Sequence, residues 1–575
     1  MKKILFLTII GFTLLLTSCN KVLDTKPLDK YTEDQVWGNA SMAKGYMNTL
    51  YANVLGMYTD LSQECLTKNA QNQVWGGSYT SVKAEQIDRT YNAGWGQYGN
   101  IRSCNLAISK LTASKFVETD KNTMLGEAYF LRAMVNYYLV QRFGGIQLID
   151  KVLTPDDNMY IPRASIKESY DFVLNDIKLA AEKLPASNER GRATKGAAYA
   201  LAMRVALQGG AYLNDNSYYQ QVISNGDLLF ALNKYSLDSY FNLFNTFGSA
   251  VASNEQILIL EQSKINTTFG GTPMQGLVTN VDNSLGKLSS AAMSKHPLVE
   301  SFEGWCNYAP TQDLADDYLV TDADGKEKAW DQTSYVTTKK NIYQKIHSNR
   351  DLRFYSTFIY DSCMYFKNLA FTRADGNVTA PSLGGGATNG STTGYWFRKY
   401  VYFDAKLWYA DNTPYCYSIL RLGEAYLNYA EAAIKLGNEA KAQQYITKTY
   451  QTHGGFSNSI TSTGVDLWMA YTRERNVEMV LEGGDRYWSL LRWGMQKSGG
   501  AVNGSYVTAG FVIPELNGKM RAMSIDAQGV NFNVVSINEK GGSALVFTPK
   551  RYLFPVPYDQ IQKNSKLVQN PGWTQ

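Results

Sequence analysis

Late in the chain, the segment RERNVEMVLEGGDRYWSLLRWG, Arg473 to Gly494, threads four arginines, three glutamates and an aspartate among apolar and aromatic residues. Charges in such a setting must either pair in the interior or line a site, because an unpaired ion is expensive to bury. Glu474, Glu478 and Glu482 recur every four residues, which places them on one helical face, with Arg473, Arg475 and Arg486 at hand to neutralise them. Val477, Val480 and Leu481 mark the apolar side, and Gly483-Gly484 breaks the helix. Asp485 then opens the next helix, where a negative charge suits the dipole. The pattern predicts a helix pair bridged by its charges, not a catalytic centre.

Helical periodicity recurs elsewhere. In NTMLGEAYFLRAMVNYYLVQRFGG, apolar residues return every three or four positions from Leu125 to Phe143, and Gly144-Gly145 stops the run. Ser165 and Glu168 form a capping box ahead of a helix whose Ile166, Tyr170, Val173, Leu174 and Ile177 share one face. ATKGAAYALAMRVALQGGAYL reads as a small-residue helix that lets a neighbour approach closely. SILRLGEAYLNYAEAAIKLGNEAKAQQYITKTY is a helix, a Gly437-Asn438 stop and a second helix, close to the ~34 residues of a tetratricopeptide unit. The fold class is therefore mainly α, with stacked helical hairpins over 37–213 and 416–575. Residues 214–415 are rich in turn formers, with short strand-like runs such as EQILILEQ. Loops on a rigid frame are where binding residues usually sit.

The N-terminus, MKKILFLTIIGFTLLLTSC, is a basic start, an apolar run too short to span a bilayer, and small residues before Cys19. It resembles a bacterial lipoprotein signal over 1–18, with Cys19 lipidated and 19–36 a tether into the first helix. Such an anchor holds a protein at the membrane, outside the cytoplasm. Five further cysteines, Cys65, Cys104, Cys306, Cys363 and Cys416, cannot all pair, and there is no CxxC. Only His296, His347 and His453 are present, which argues against a histidine triad or a His-rich metal site. The formal net charge of +5 is too small and scattered for nucleic acid. Gly94 to Gly99 fits GxGxxG, but no strand precedes it and large aromatics fill it, so no dinucleotide site is expected. No glycosidase motif surrounds any pair of acids, and 40 tyrosines with 11 tryptophans supply flat apolar faces with hydrogen-bonding tips.

The segment at Arg473 closely resembles the signature of the SusD/RagB family of Bacteroidetes outer-membrane lipoproteins. Further landmarks follow in order: GEAYFLRAMVNYYLVQRFGGIQLI at Gly126, GRATKGAAYALAMRVAL at Gly191, PTQDLADDYLVTDADGK at Pro310 and NRDLRFYSTFIY at Asn349. ILRLGEAYLNYAEA at Ile419 and FPVPYDQIQKNSKLVQNPGW at Phe554 complete the set. The resemblance covers essentially the whole mature chain, so 19–575 is expected to be one structural unit. It implies a SusD-like fold in which four tetratricopeptide-like hairpins carry a loop-rich ligand-binding remainder. It also implies a non-enzymatic, surface-exposed protein that binds a glycan and partners a SusC-like TonB-dependent transporter. The alternatives are a peptide-binding relative, a surface glycoside hydrolase and a pure assembly scaffold. No cofactor is implied, and a structural calcium ion is left open.

Sugar recognition asks for aromatic platforms beside amides, carboxylates or arginines. Two windows offer them, and the resemblance places ligand contacts in both. DLSQECLTKNAQNQVWGGSYTS supplies Asp60, Asn69, Asn72, Trp75 and Tyr79, and SFEGWCNYAPT supplies Trp305, Cys306, Asn307 and Tyr308. A third, weaker set lies around the glycine-rich loop: Arg373, Asp375, Tyr395 and Asp404.

Overall fold

The computed structural model describes residues 31–73, 77, 79–281, 295–378, 390–502, 504–538 and 542–573; the signal segment 1–18 and Cys19 lie outside them. Helix α1 (Glu33–Trp37) starts inside the stretch expected to be tether. Thr32 and Gln35 cap each other there: the Gln35 N–H donates to Thr32 Oγ1 at 3.3 Å and the Thr32 N–H to Gln35 Oε1 at 2.8 Å. The N-terminal frame continues with α2 (Ala40–Gly56), α3 (Tyr98–Ala113), α4 (Glu118–Phe143), α5 (Ile166–Lys183), α6 (Lys195–Leu213) and α7 (Asn216–Ala231). The last of these falls in the region read as loops. Asn214, at φ +52°, makes a left-handed link that turns α6 straight into α7. The C-terminal set is α8 (Leu422–Lys435), α9 (Glu439–Thr452), α10 (Gly464–Glu478) and α11 (Asp485–Lys497).

Successive helices pack on one another, α3 on α4, α4 on α5, α5 on α6, α6 on α7 and α8 on α9, as stacked hairpins should. Helix α8 also packs on α6 and α7, and α11 on α6, so both ends of the chain share one frame. The capping box at Ser165 and Glu168 is formed as read. In α6, Gly209 and Gly210 admit two tyrosines: a Cβ at either would lie 2.8 Å from the ring of Tyr218 or Tyr219. The GxGxxG stretch is a helix entry in which Trp95 is buried edge-on against Phe143.

Short two-stranded ladders fill the rest. Of these, β1 (Ala70–Asn72) pairs with β3 (Tyr308–Pro310), β2 (Gln256–Gln262) with β4 (Tyr415–Arg421), and β5 (Met520–Ile525) with β6 (Phe532–Ile537), all antiparallel. Every residue of β4 is buried, and the strand ends at Arg421, the N-cap of α8.

The charged segment is structural, but its partners are not the ones adjacent in sequence. Helix α10 carries Glu474 and Glu478; beyond it Leu481 adopts φ +62°, so Glu482 reaches inward from a turn rather than from the helical face. Arg353 grips Glu474 through both Nη atoms at 2.6 and 2.9 Å and meets Glu478 at 2.8 Å. Arg421 grips Glu482 at 2.7 and 2.8 Å and also pairs with Glu478 and with Glu255. Lys399 Nζ lies 2.6 Å from Glu482 Oε1. Of the arginines expected to neutralise the glutamates, Arg475 pairs instead with Asp485 at 2.6 Å. Among the described residues, neither Arg473 nor Arg486 forms an ion pair with them. Neighbours in one helix share its surface, whereas these glutamates face inward and can be met only by side chains arriving from other elements.

His453 sits inside this network, its Nδ1 at 2.8 Å from Glu478 and its Nε2 at 3.0 Å from Glu255. Both neighbours are carboxylates held below the ordinary range, first by His453 itself and then by Arg421, so both ring nitrogens donate and the ring is a cation. Burial would depress its pKa, but Glu478 and Glu255 outweigh that and hold it at about 10. The folded value lies above the unfolded one, so this contribution to stability is complete below about pH 6.5 and disappears as pH rises through about 10. Lys399, which burial brings down to about 8 against the opposing pull of Glu482, titrates in the opposite sense within that window. The difference between wild type and His453→Gln isolates the histidine. Thermal melts of the two from pH 6.5 to 10 should show the wild type's advantage shrinking steadily; a constant gap would mean a neutral imidazole.

Candidate functional site

The first two sequence windows meet on a backbone ladder. In the β1–β3 pair, Asn72 lies opposite Tyr308 and Ala70 opposite Pro310. The Gln73 N–H extends it by donating to the Asn307 carbonyl at 2.7 Å. Thr392, at the far end of the glycine-rich loop, fastens to the same place: its Oγ1 donates to Gln71 Oε1 at 2.8 Å and its N–H to Gln73 Oε1 at 3.2 Å.

The turn carrying Trp305 is laid along residues 275–278. The N–H groups of Trp305, Cys306 and Asn307 donate to the carbonyls of Gln275, Val278 and Gly276 at 2.8, 2.9 and 2.7 Å. Cys306 adopts φ +42° and turns its thiol into the interior, while Trp305 beside it turns outward, 52% exposed. Gly304 makes the close approach feasible, since a Cβ there would stand 1.9 Å from the Val278 carbonyl oxygen.

In the first window, Asp60 Oδ1 caps the turn Leu61–Leu66 by accepting from the Ser62 N–H at 3.0 Å, and its Oδ2 accepts from the Tyr79 hydroxyl at 2.8 Å. Burial first, then the Asp60 charge, pushes the Tyr79 phenol pKa well above its ordinary value, so it stays a neutral donor. Asn72 is buried under the ladder. Asn69 turns to α10, where its Nδ2 lies 2.8 Å from Asn476 Oδ1. Trp75 lies outside the described residues.

Other expected site residues have different duties. Tyr395 is 1% exposed, ringed by Phe358 and His347, with its hydroxyl on Gln312 Oε1 at 2.8 Å; its side chain has no path to a surface ligand. The Cys306 thiol is removed from the surface in the same way. The Arg373 guanidinium is spent on Asp361, with Nε at 3.0 Å from Oδ1. Asp404 accepts from the N–H groups of Phe247 and Gly248 at 2.9 and 3.3 Å, steadying the start of the short helix Phe247–Ala252.

The structure adds two aromatics missed in the sequence. The Glu303 N–H donates to the Leu407 carbonyl at 2.9 Å, and Glu303 Oε2 accepts the Tyr409 N–H at 2.6 Å. These bonds bring the turn of Trp408 and Tyr409 beside that of Trp305; Tyr409 is 54% exposed and Trp408 is 38%. The signal was an aromatic pair followed by turn formers in KLWYADN. Exposed rings flanked by amides and carboxylates suit a flat ligand face edged with hydroxyl groups.

Glu255, His453 and Glu478 have ligand atoms within 4.8 Å of one another, but these are already engaged with each other and with Arg421 and Arg353. Asp322 and Asp324 share Lys328 Nζ at 2.7 and 2.9 Å.

A family model described as the SusD family matches residues 270–573, more than half of the chain. The chain belongs to the SusD family. A second model, described as starch-binding associating with outer membrane, matches residues 21–207. A SusD-like protein of Bacteroides ovatus is 22% identical over 501 residues, 85% of this chain and 82% of the relative. A solved SusD-like protein from Bacteroides fragilis aligns with a TM-score of 0.75 at 26% identity, over 95% of this chain and 100% of that one. A SusD-like carbohydrate-binding protein from the same species aligns with a TM-score of 0.69 at 19% identity, over 93% of this chain and 100% of that one, and shows the shared fold. The mainly helical SusD-like fold read from the sequence is thereby established.

The close backbone approach at Gly304 gives a direct check. Gly304→Ala should destabilise the protein by about 1–3 kcal/mol in denaturant melts, because the clash is with main chain that must shift. An unchanged midpoint would mean that the Trp305 turn is not seated on residues 275–278.

Proposed function

We propose that this SusD-family protein is a cell-surface, outer-membrane lipoprotein that binds an oligosaccharide or polysaccharide and passes it to a SusC-like TonB-dependent transporter. The observation that carries the reading is the group of outward rings, Trp305, Trp408 and Tyr409, held on a fixed backbone next to hydrogen-bonding side chains. The carbohydrate-binding relative from Bacteroides fragilis and the family model described as starch-binding support a glycan as ligand.

Asp60 accepts from Ser62 and Tyr79, and Glu303 from the Tyr409 N–H, so both acids fasten the turns around the rings, in keeping with a binding role. The transporter partner and the membrane anchor rest on family membership together with the N-terminal segment. Among the described residues no helix is long and apolar enough to cross a membrane.

Calorimetry against soluble starch, β-glucan, xylan, mannan and pectin fragments should find one class that binds and leaves with unchanged chain length. Trp305→Ala should weaken that binding by about tenfold or more, the effect of losing a central aromatic anchor. Binding to peptides alone, or shortened products, would overturn the reading. The anchor has its own test: Cys19→Ala should move the protein from the membrane fraction to the soluble fraction, and its retention at the membrane would exclude lipidation at that residue.

A further inference from the structure

We propose that Gln275 is a positioning residue: its side-chain amide fixes the outward ring of Trp305 and ties it to the Tyr409 turn, presenting both rings as one pre-set surface. The inference rests on the glycan-binding reading given above. Gln275 lies beneath the site, 8% exposed. Its carbonyl takes the Trp305 backbone N–H at 2.8 Å. With its amide oxygen toward the indole, Oε1 accepts from Trp305 Nε1 at 3.0 Å and Nε2 donates to the Gly270 carbonyl at 3.3 Å. The neighbours decide that orientation. An indole N–H can only donate and a peptide carbonyl can only accept, so the reverse would set donor against donor and oxygen against oxygen.

Gly270 carries the connection onward. Its N–H donates to the Tyr409 carbonyl at 3.0 Å, and its bare Cα lies under the Tyr409 ring, where a Cβ would come within 2.5 Å of Cε2. Glu303 Oε2 takes the Tyr409 N–H at 2.6 Å. A continuous path of hydrogen bonds thus runs from the indole of Trp305 through Gln275 and Gly270 to the Tyr409 turn.

The physical consequence concerns entropy and chemistry together. A half-exposed tryptophan is ordinarily free to swing, and a ligand that stacks on it must first immobilise it. Here both N–H groups of Trp305 are held, so that ordering is completed during folding. The engaged indole N–H is also withdrawn from the ligand, so Trp305 acts through its ring face and not as a hydrogen-bond donor.

The test uses full-length protein labelled with 5-fluorotryptophan, with Trp305→Phe to assign the Trp305 fluorine resonance. In Gln275→Leu that resonance should move, the melting temperature should stay near wild type, and affinity for the tightest-binding polysaccharide of the panel should fall about tenfold. Gln275→Glu keeps an acceptor at the indole but sets its second oxygen against the Gly270 carbonyl, so it should bring the resonance back toward wild type while the affinity stays reduced. If Gln275→Leu does not fold, Gln275→Met replaces it. An unmoved resonance overturns the proposal, and so does a moved resonance with unchanged affinity. Should the wild type bind no polysaccharide at all, the glycan reading fails, and the fluorine signal alone decides whether Gln275 fixes the ring.

Discussion

The fold converges on the carboxylate of Glu478, fully buried and met by Arg353, Arg421 and His453. Its main-chain carbonyl is equally occupied, accepting from Arg421 Nη2 at 2.8 Å and the Tyr240 hydroxyl at 2.6 Å. Ions removed from water are tolerated only when nearly every lone pair and proton is satisfied, and losing one partner of such a pair costs about 3–5 kcal/mol. The partners come from positions 353, 421 and 453, and Glu255, which shares Arg421 and His453, comes from another distant part of the chain. Apolar side chains accept many neighbours of similar size, but a buried guanidinium accepts only a carboxylate in the right place. We therefore read this network as the device that selects one long-range arrangement of the two helical sets, more than as a net source of stability.

The site inherits its orientation from the same network. Glu64 Oε2 accepts the N–H of Leu481 at 2.7 Å, which steadies a non-glycine residue at positive φ just before Glu482. Asn69 bonds to Asn476 on α10 and, through its carbonyl, takes the Thr311 N–H at 3.0 Å. Asn69 leads into β1 and Thr311 follows β3, so the root of the ladder is stitched to the end of the charged helix. A shift of α10 would move the platform under Trp305 with it.

Much of this frame is legible in the sequence, because local rules decide it. The capping box at Ser165, the stop at Gly437 and the periodic faces of α4 and α5 depend only on residues a few positions apart. The glutamates of the charged segment show the limit of such reasoning. Their burial could be foreseen, but choosing Arg353 and Arg421 over Arg473 and Arg486 requires knowing which distant strand and turn arrive there. The site divides along the same line. Aromatic and polar composition together with the family resemblance point to the windows holding Trp305, Asp60 and Tyr79, whereas a three-residue strand such as β1 has too little pattern to announce its partner. Tyr395 and Arg373 have the chemistry of ligand residues and sit near a polar loop, yet tertiary packing assigns one to the core and the other to Asp361.

Trp305 and Tyr409 differ from the frame residues in how they are held. The network at Glu478 is built from side chains, each requiring a matched partner. The turns bearing Trp305 and Tyr409 are fastened largely through their own main-chain N–H and carbonyl groups, to Gln275, Gly270 and Glu303. Main-chain bonds do not depend on which side chain projects from the turn. The network orients the ladder beneath the rings, but the identity of a ring facing solvent is not set by it, so one ring could be exchanged for another without altering the charges. That difference is also why the charged helix identifies the family readily, whereas the outward rings carry no comparable pattern in the sequence.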